Sequence, residues 1–257
     1  MKKIITLALL IFACSAAFAW GPRGHSTVAS LADELIKPST RKQVEGYLGH
    51  SMAFYSTWMD ERRDEEAYKF SSPCHSFPVD ENNKYAPVDG QLDAISLLEQ
   101  AISVVKDRKN QTDSAVVVNL KFIIHLVGDI HCPGHVKYSY IKTNFKVTEY
   151  KGENNVISYH HVWDQSIIDR RCKCLSPVEL AHDLNRLSKK EMKEVQKGTP
   201  LEWGESNAEK SVVIYDMAKP GDVLFKPFYN PAWEIVYEHI TLAGYRLAKV
   251  LDDCFSN

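Results

Sequence analysis

The chain has 257 residues, of which 44% are hydrophobic and 25% are charged, and its formal net charge at pH 7 is −2. Its length allows one domain with a substantial core. The charge excludes a nucleic-acid binder that relies on a broad cationic surface, so any polynucleotide must be held locally, by a metal site or by stacking.

Residues 1–19 have the pattern of a secretory signal peptide. Two lysines precede an apolar run, and small residues follow up to Ala-Phe-Ala. We expect cleavage after Ala19, a mature chain beginning at Trp20, and an exported protein, either periplasmic or secreted. Lipidation at Cys14 is a weaker alternative, because bulky Phe12 stands where such sites usually have a small residue. No later apolar run approaches the roughly 18–20 residues of a membrane span.

The first half of the mature chain shows helical periodicity interrupted by one loop. Apolar residues recur at three-to-four spacing over residues 24–36. A second helix is predicted to begin at Ser39, a good N-cap, and residues 53–63 indicate a short helix. Residues 70–87 contain prolines and polar residues and are predicted to form a loop.

The second half adds longer helices and one change of pattern. Residues 89–108 and 114–130 are predicted helices, and the second is apolar on most sides, which is typical of a central, buried helix. Residues 144–159 alternate around a Lys-Gly-Glu-Asn-Asn turn and indicate a small β-hairpin. Residues 176–197 and 230–253 are predicted helices with polar caps. The fold class is therefore mainly α, with helices around one core.

Two helical segments carry histidine and aspartate at the same spacing. His125 and Asp129, in "HLVGDIHCPGH", stand at i and i+4, one turn apart on one helical face, and His135 follows a Pro-Gly break. His160 and Asp164, in "HHVWD", repeat that spacing. A single such pair is usually a surface pair or a satisfied core histidine, but two pairs opening toward apolar helices favour a metal site.

Other imidazoles and carboxylates extend this set. Asp60 ends "STWMD", His75 lies in the loop after it, and His25 follows Trp20 by five residues. Imidazole and carboxylate together suit zinc, and carboxylates can bridge two ions. His131 is expected to hydrogen-bond a ligand rather than to bind metal itself.

Five cysteines remain after the predicted cleavage, and an exported protein can oxidise them. The odd number leaves at least one unpaired, and the spacing does not decide the pairing. There is no C-x-x-C, which argues against a zinc site built from cysteines. A bridge between Cys74 and Cys132 is a hypothesis, because each lies beside a candidate ligand.

Several of these motifs, in the same order, resemble one enzyme family. Trp20 with His25, "WMDERR", "HLVGDIHCPGH", "YHHVWD" and "AGYRLAKVLDD" are similar to the zinc-dependent single-strand nucleases of the S1/P1 family, which share a fold with the bacterial zinc phospholipases C. The resemblance covers nearly all of the mature chain. It implies a single helical domain of the phospholipase C/single-strand nuclease type over residues 20–257.

The resemblance implies a centre of three zinc ions. In that family the mature N-terminal Trp is a ligand through its free amine and its own carbonyl, so signal cleavage would be part of assembling the site. The implied ligands of the first ion are Asp60, His75, His125 and Asp129. Asp129 would bridge to the second ion, which Trp20 and His25 would also bind. The third ion would be bound by His135, His160 and Asp164.

The implied reaction is hydrolysis of single-stranded DNA or RNA, and of 3′-nucleotides, to 5′-phosphate products through a zinc-activated hydroxide. Asp60 would also orient the attacking water, and Arg63, three residues later, is similar to the family's phosphate-neutralising arginine. No stable protein partner is implied, and we expect a monomer.

Base binding is less well defined by the resemblance. Phe77 is the candidate for stacking, but here a serine separates it from His75, where the family pattern has Phe directly after the histidine. Tyr138, Tyr140 and Phe145 are alternatives. The family often carries Gly-Gly-Asn between the third-ion ligands; here "YIKTNFKV" stands there, and Asn144 is the candidate substitute.

Two other functions stay open from the sequence. A phospholipase C-type enzyme would use the same cage on a phospholipid head group, but such enzymes tend to carry glutamate where Asp164 stands. A non-catalytic zinc-binding module is the second alternative. Every position that the family uses to bind zinc carries a residue able to bind it here, which argues against a non-catalytic module.

Overall fold

The structure, a computed structural model, describes residues 20–150 and 152–256, so the predicted signal peptide lies outside the described residues. Helices dominate it, as the sequence predicts. The α-helices of the first half are α1 (Pro22–Leu35), α2 (Pro38–Leu48), α3 (Met52–Tyr55), α4 (Trp58–Arg62), α5 (Ala94–Lys106) and α6 (Asp113–Asp129). Those of the second half are α7 (Tyr159–His161), α8 (Ile167–Arg171), α9 (Pro177–Leu184), α10 (Lys189–Val195), α11 (Pro200–Ser211), α12 (Ile214–Met217) and α13 (Lys226–Cys254).

The strands are short. They are β1 (Phe77–Val79), β2 (Val136–Tyr138), β3 (Lys146–Tyr150), β4 (Asn154–Ser158) and β5 (Val223–Leu224). The predicted hairpin is confirmed, because β3 and β4 pair antiparallel with Lys146 opposite Ser158, and β5 adds to β3 in parallel. Strands β1 and β2 form a separate parallel pair that was not predicted, and β1 lies within the predicted loop 70–87.

Two predicted helices are in fact divided. The segment 53–63 is split between α3 and α4, and 176–197 is split into α9 and α10. The second break is fixed by a capping box that starts a new helix at Ser188. The Ser188 side chain accepts from the Glu191 backbone N–H, and the Glu191 carboxylate accepts from the Ser188 backbone N–H. Helix α11, which was not predicted, begins with the same device at Thr199 and Glu202.

Helix α6 is the central element. From Phe122 to Asp129 every side chain on it is buried, as its apolar sequence predicts. Helix α5 packs along it, and α1 packs against α13, α9 and α3. No helix within the described residues is both long and apolar enough to cross a membrane. This arrangement places the C-terminal end of α6, which carries the first histidine–aspartate pair, inside the protein.

The parallel β1–β2 pair brings two distant loop segments together. Phe77 is opposite Val136 and Val79 is opposite Tyr138. His75 lies two residues before β1 and His135 lies one residue before β2, so the pairing sets them side by side. The carbonyl oxygen of His75 accepts a hydrogen bond from Nδ1 of His135. The β1–β2 pair therefore holds His75 and His135 next to each other.

Helices α1 and α13 approach closely at Gly244. A methyl group added there would lie 2.5–2.8 Å from three carbons of Leu31. We expect Gly244→Ala to lower the free energy of unfolding by about 1–3 kcal/mol, because the core must be displaced to accept the methyl group. Urea denaturation measures the change.

Gly46→Ala on α2 is the matched control, since a methyl group there meets nothing within 4 Å. It should leave stability unchanged or raise it by about 0.5–1 kcal/mol through helix propensity. Equal stability of the two variants would contradict the close approach.

Candidate metal centre

Three groups of buried side chains meet at the end of α6, with ligand atoms within 4.8 Å of one another inside each group. The groups are His25, Asp60 and His125; His75, His125 and Asp129; and Cys132, His135 and Asp164. They draw on α1, α4, α6, the turn Val162–Ser166 that follows α7, and the irregular segments before β1 and β2. The fold thus brings together the imidazoles and carboxylates that the sequence analysis assigned to metal.

Asp129 lies at the centre of this cluster. Its Oδ2 is 3.0 Å from His75 Nδ1 and 3.2 Å from His125 Nε2, and its Oδ1 is 3.3 Å from His25 Nε2. The two oxygens therefore face different imidazoles. That is the arrangement a carboxylate adopts when it bridges two metal ions.

Asp60 lies beside the same imidazoles without a hydrogen bond. Its oxygens are 3.7 Å from His75 Nδ1 and from His125 Nε2, and neither oxygen has a partner although the residue is buried. Both ring nitrogens of His25 also lack a hydrogen bond. Buried polar atoms without partners are costly, so this part of the core is incomplete with protein atoms alone.

Backbone carbonyls orient three of the imidazoles. Nδ1 of His125 donates to the Ser56 carbonyl over 2.8 Å, and Nδ1 of His160 donates to the Gly134 carbonyl over 2.9 Å. Nδ1 of His135 donates to the carbonyl of His75. Each bond fixes the tautomer and leaves Nε2 facing the carboxylates, as in histidines that bind metal.

His160 lies beside His135 and Asp164 of the third group. His160 Nε2 is 3.0 Å from Asp164 Oδ2, and His135 Nε2 is 3.6 Å from Asp164 Oδ1. The i,i+4 pair does not lie in one regular α-helix, because Asp164 occupies a π-helical turn over Val162–Ser166. Such turns are frequent at functional sites. The His160 side chain is 29% exposed, whereas those of His135 and Asp164 are buried.

Burial and charge set the ionisation of the cluster. Burial alone would lower the pKa of His125, but the charges of Asp129 and Asp60 outweigh it and raise that pKa to about 9. Burial and the positive charge of His125, whose ring stacks on that of His25, lower the pKa of His25 to about 4. Burial would raise the pKa of Asp129, but attraction to His125 and hydrogen bonds from the histidines hold it well below its usual value. Without metal, a proton on His125 partly neutralises the carboxylates.

Two glycines make room for the N-terminal side of the centre. A methyl group at Gly128 would lie 2.8 Å from His25 Nδ1, and one at Gly24 would lie 2.7 Å from Cβ of Trp20. Trp20 is fully buried, and its indole N–H donates to the Gly128 carbonyl over 2.8 Å. The tryptophan is therefore seated against the same turn of α6 that carries Asp129.

The donor set fits zinc. Imidazole nitrogens and carboxylate oxygens are its usual protein ligands, and here several of them are buried without partners. The residues that would hold the ions are those of the three groups, with His160 joining the last.

The residues predicted to bind substrate differ in their exposure to solvent. Arg63 is half-buried at the C-cap of α4, the helix that carries Asp60. Phe77 is fully buried in β1, with its ring against Gly204 of α11, and offers no face to a base in this structure. Asn144 is exposed in the loop before β3. Tyr140 has an exposed ring (47%), whereas Tyr138 is buried.

His131 does not contact a candidate ligand side chain, which corrects the sequence expectation. Its Nδ1 donates to the Val127 carbonyl over 2.7 Å, and its Nε2 accepts from Arg246 over 2.9 Å. With both nitrogens satisfied, it joins the end of α6 to α13.

The proposed bridge between Cys74 and Cys132 is also absent. No cysteine within the described residues is in a disulfide. The Cys74 sulfur lies 3.7 Å from the Phe70 carbonyl, whereas Cys132 Sγ lies 3.5 Å from Asp164 Oδ1. Sequence reasoning thus missed the placement of Cys132 in the third group. Its position between Asp129 and His135 was the available signal.

Comparison with known proteins agrees with this geometry. A family model described as S1/P1 Nuclease matches residues 20–256. Nuclease S1 of Aspergillus oryzae is 29% identical over 161 residues, which is 58% of this chain and 55% of that protein. Endonuclease 5 of Arabidopsis thaliana is 24% identical over 290 residues, covering 98% and 96%. Nuclease P1 of Penicillium citrinum is 27% identical over 156 residues, covering 56% and 57%, so the matches to the two fungal nucleases span about half of each.

Asp129→Asn tests the central carboxylate. The substitution keeps the shape but removes the charge that His25, His75 and His125 face. We expect the variant to bind less metal than the parent, by at least one equivalent. Because metal binding is linked to folding, chelation should also lower the melting temperature of the variant less than that of the parent. Metal analysis of dialysed protein and melting curves with and without chelator measure both.

Asp113→Asn, in the exposed first turn of the same helix, is the matched control. It should keep the parent's metal content. If chelation leaves the melting temperature of the parent protein unchanged, the cluster does not bind metal.

Proposed function

The chain belongs to the S1/P1 nuclease family, and on that premise we propose that it is a zinc-dependent endonuclease that hydrolyses single-stranded DNA and RNA. The observation that carries the proposal is the buried carboxylate–imidazole cluster around Asp129, in which the side-chain oxygens of Asp60 and the ring nitrogens of His25 have no hydrogen-bond partner. Three zinc ions would satisfy these atoms. One would be held by Asp60, His75, His125 and Asp129, the second by Trp20, His25 and Asp129, and the third by His135, His160 and Asp164. The same centre is proposed to act on nucleoside 3′-phosphates.

Bound zinc ions supply a water of lowered pKa and stabilise negative charge on the oxygens around phosphorus. The side chains of the protein would position the attacking water and the phosphate. The partner-free carboxylate oxygens of Asp60 would accept a hydrogen bond from the attacking water and orient it. Arg63, three residues later, would neutralise the phosphate. The partly exposed His160 marks the side from which substrate reaches the centre.

The new N-terminus is proposed to be part of the centre. Trp20 is buried beside His25, and the Trp20 carbonyl accepts from the His25 backbone N–H over 3.2 Å. Cleavage after Ala19 would give Trp20 a free amine there. Export as a single-domain monomer over 20–257 is part of the same proposal.

Stacking of a base needs an accessible aromatic face. Phe77 lies in the core, so the proposal assigns stacking to Tyr140, whose ring is exposed and whose hydroxyl donates to Asn83 over 2.6 Å. Asn144 lies in the exposed loop that follows and is proposed to contact the base edge.

Digestion of single-stranded DNA and RNA by zinc-loaded protein beginning at Trp20 is the direct test. We expect products that carry 5′-phosphates, and loss of activity on chelation with recovery on adding zinc. Asp60→Asn should lower the rate by about 100-fold or more, since even partners that only support a ligand contribute 10–100-fold. Product analysis by mass spectrometry identifies the phosphate position.

Asp64→Asn, an exposed acid in the same charged run, is the control and should keep the parent's rate. A protein that holds its zinc but cleaves neither nucleic acid contradicts the proposed substrate. Hydrolysis of phosphatidylcholine by that protein would point to the phospholipase reaction.

A second test adds one residue. Protein that begins at Ala19 has an amide in place of the Trp20 amine, and an amide nitrogen is a poor zinc ligand at neutral pH. We expect it to bind one zinc equivalent fewer and to lose most activity. Trimming Ala19 with an aminopeptidase should restore both. Equal metal content before and after trimming would remove the N-terminus from the centre.

A further inference from the structure

Cys132 is the one residue of the third group that the sequence analysis did not count as a ligand. Its sulfur, His135 and Asp164 offer ligand atoms that all lie within 4.8 Å of one another, and all three residues are buried. We propose that Cys132 binds the ion held by His135, His160 and Asp164, as a thiolate ligand. The inference rests on the proposed zinc centre and adds a protein ligand to it.

The distance between the two nearest ligand atoms agrees with a shared ion. Cys132 Sγ lies 3.5 Å from Asp164 Oδ1. Zinc binds thiolate sulfur at about 2.3 Å and carboxylate oxygen at about 2.0–2.2 Å, so a tetrahedral angle separates the two ligand atoms by about 3.5–3.7 Å. The sulfur and the oxygen therefore already have the spacing of two ligands of one zinc ion.

A second, independent atom points to the same place. His135 is only 2% exposed, its Nε2 has no hydrogen bond, and this nitrogen lies 3.6 Å from the same oxygen, Asp164 Oδ1. Its Nδ1 is already used by the carbonyl of His75. The unpartnered nitrogen and the cysteine sulfur thus both approach Asp164 Oδ1.

The backbone around Cys132 is held in place. The side-chain amide of Asn207, on α11, donates to the carbonyls of Ile130 and Cys132 over 2.9 and 3.3 Å. The backbone N–H of His135 also donates to the Cys132 carbonyl, over 3.0 Å. Pro133 follows directly and restricts the turn. These contacts hold the backbone from which the Cys132 thiol reaches Asp164 Oδ1.

A thiolate changes the chemistry of this ion. Thiolate sulfur, imidazole nitrogen and carboxylate oxygen are all zinc ligands, so a cysteine can join two histidines and an aspartate around one ion without a C-x-x-C motif. On binding, the thiol proton leaves to solvent and the sulfur contributes a negative charge. A soft donor favours zinc over magnesium or calcium at this position.

Cobalt(II) substitution tests the ligand directly, because a thiolate bound to cobalt gives a sulfur-to-metal charge-transfer band in the near ultraviolet. We expect this band in the cobalt-loaded parent beginning at Trp20, and its loss in Cys132→Ser. Cys74→Ser, at another buried cysteine beside a ligand, is the matched control and should keep the band. Retention of zinc against a chelator should fall at least tenfold for one ion in Cys132→Ser, since even supporting partners contribute 10–100-fold.

Each outcome decides the question. A cobalt-loaded parent without the band, or a band that persists in Cys132→Ser, overturns the inference while the zinc centre stands. A parent that binds no metal overturns the proposed function itself. If Cys132→Ser does not fold, Cys132→Ala takes its place, and loss of the parent's band in a folded Cys132→Ala protein supports the inference.

Discussion

The fully buried carboxylate of Asp129 is the constraint on which the rest of this structure depends. An ionised carboxylate in an apolar interior costs several kcal/mol unless positive charge and hydrogen bonds offset the lost solvation. Imidazoles of His25, His75 and His125 surround it, and the pKa of His125 is raised to about 9 despite its burial, so its proton supplies charge when metal is absent. A buried dication in this position offsets the desolvation far better than one proton. Folding and metal binding are therefore expected to be coupled.

The irregular stretches of the fold, rather than its helices, aim the imidazoles. A carbonyl inside a helix is already used by the helix, so the acceptors for Nδ1 come from helix ends and turns. Ser56 is the C-cap of α3, His75 ends a 3-10 turn, and Gly134 lies in the turn before β2. The short β1–β2 pair holds the last two of these segments together. Small, locally weak elements thus determine which ring nitrogen of His125, His135 and His160 is free.

Local patterns predicted the helices and the histidine–aspartate pairs, because periodicity and i,i+4 spacing are properties of neighbouring residues. They did not predict the β1–β2 pair, since two strands of three residues have too few positions to show a period. The capping boxes at Ser188 and Thr199 were readable, and they would have divided 176–197 and revealed α11. The burial of Phe77 depends on α11, so its position could not be derived without that helix.

The two flanks of the third group differ in exposure, and this difference bears on how the site would work. His160 is partly open to solvent, whereas Cys132 is fully buried on the protein side. A thiolate from within would hold the ion without occupying the open side, where a phosphate oxygen must approach. Its negative charge would weaken the attraction of the ion for that oxygen while strengthening its retention. As the proposed ligand, Cys132 would therefore favour a tightly held ion over the strongest possible Lewis acid, beside the partly exposed His160.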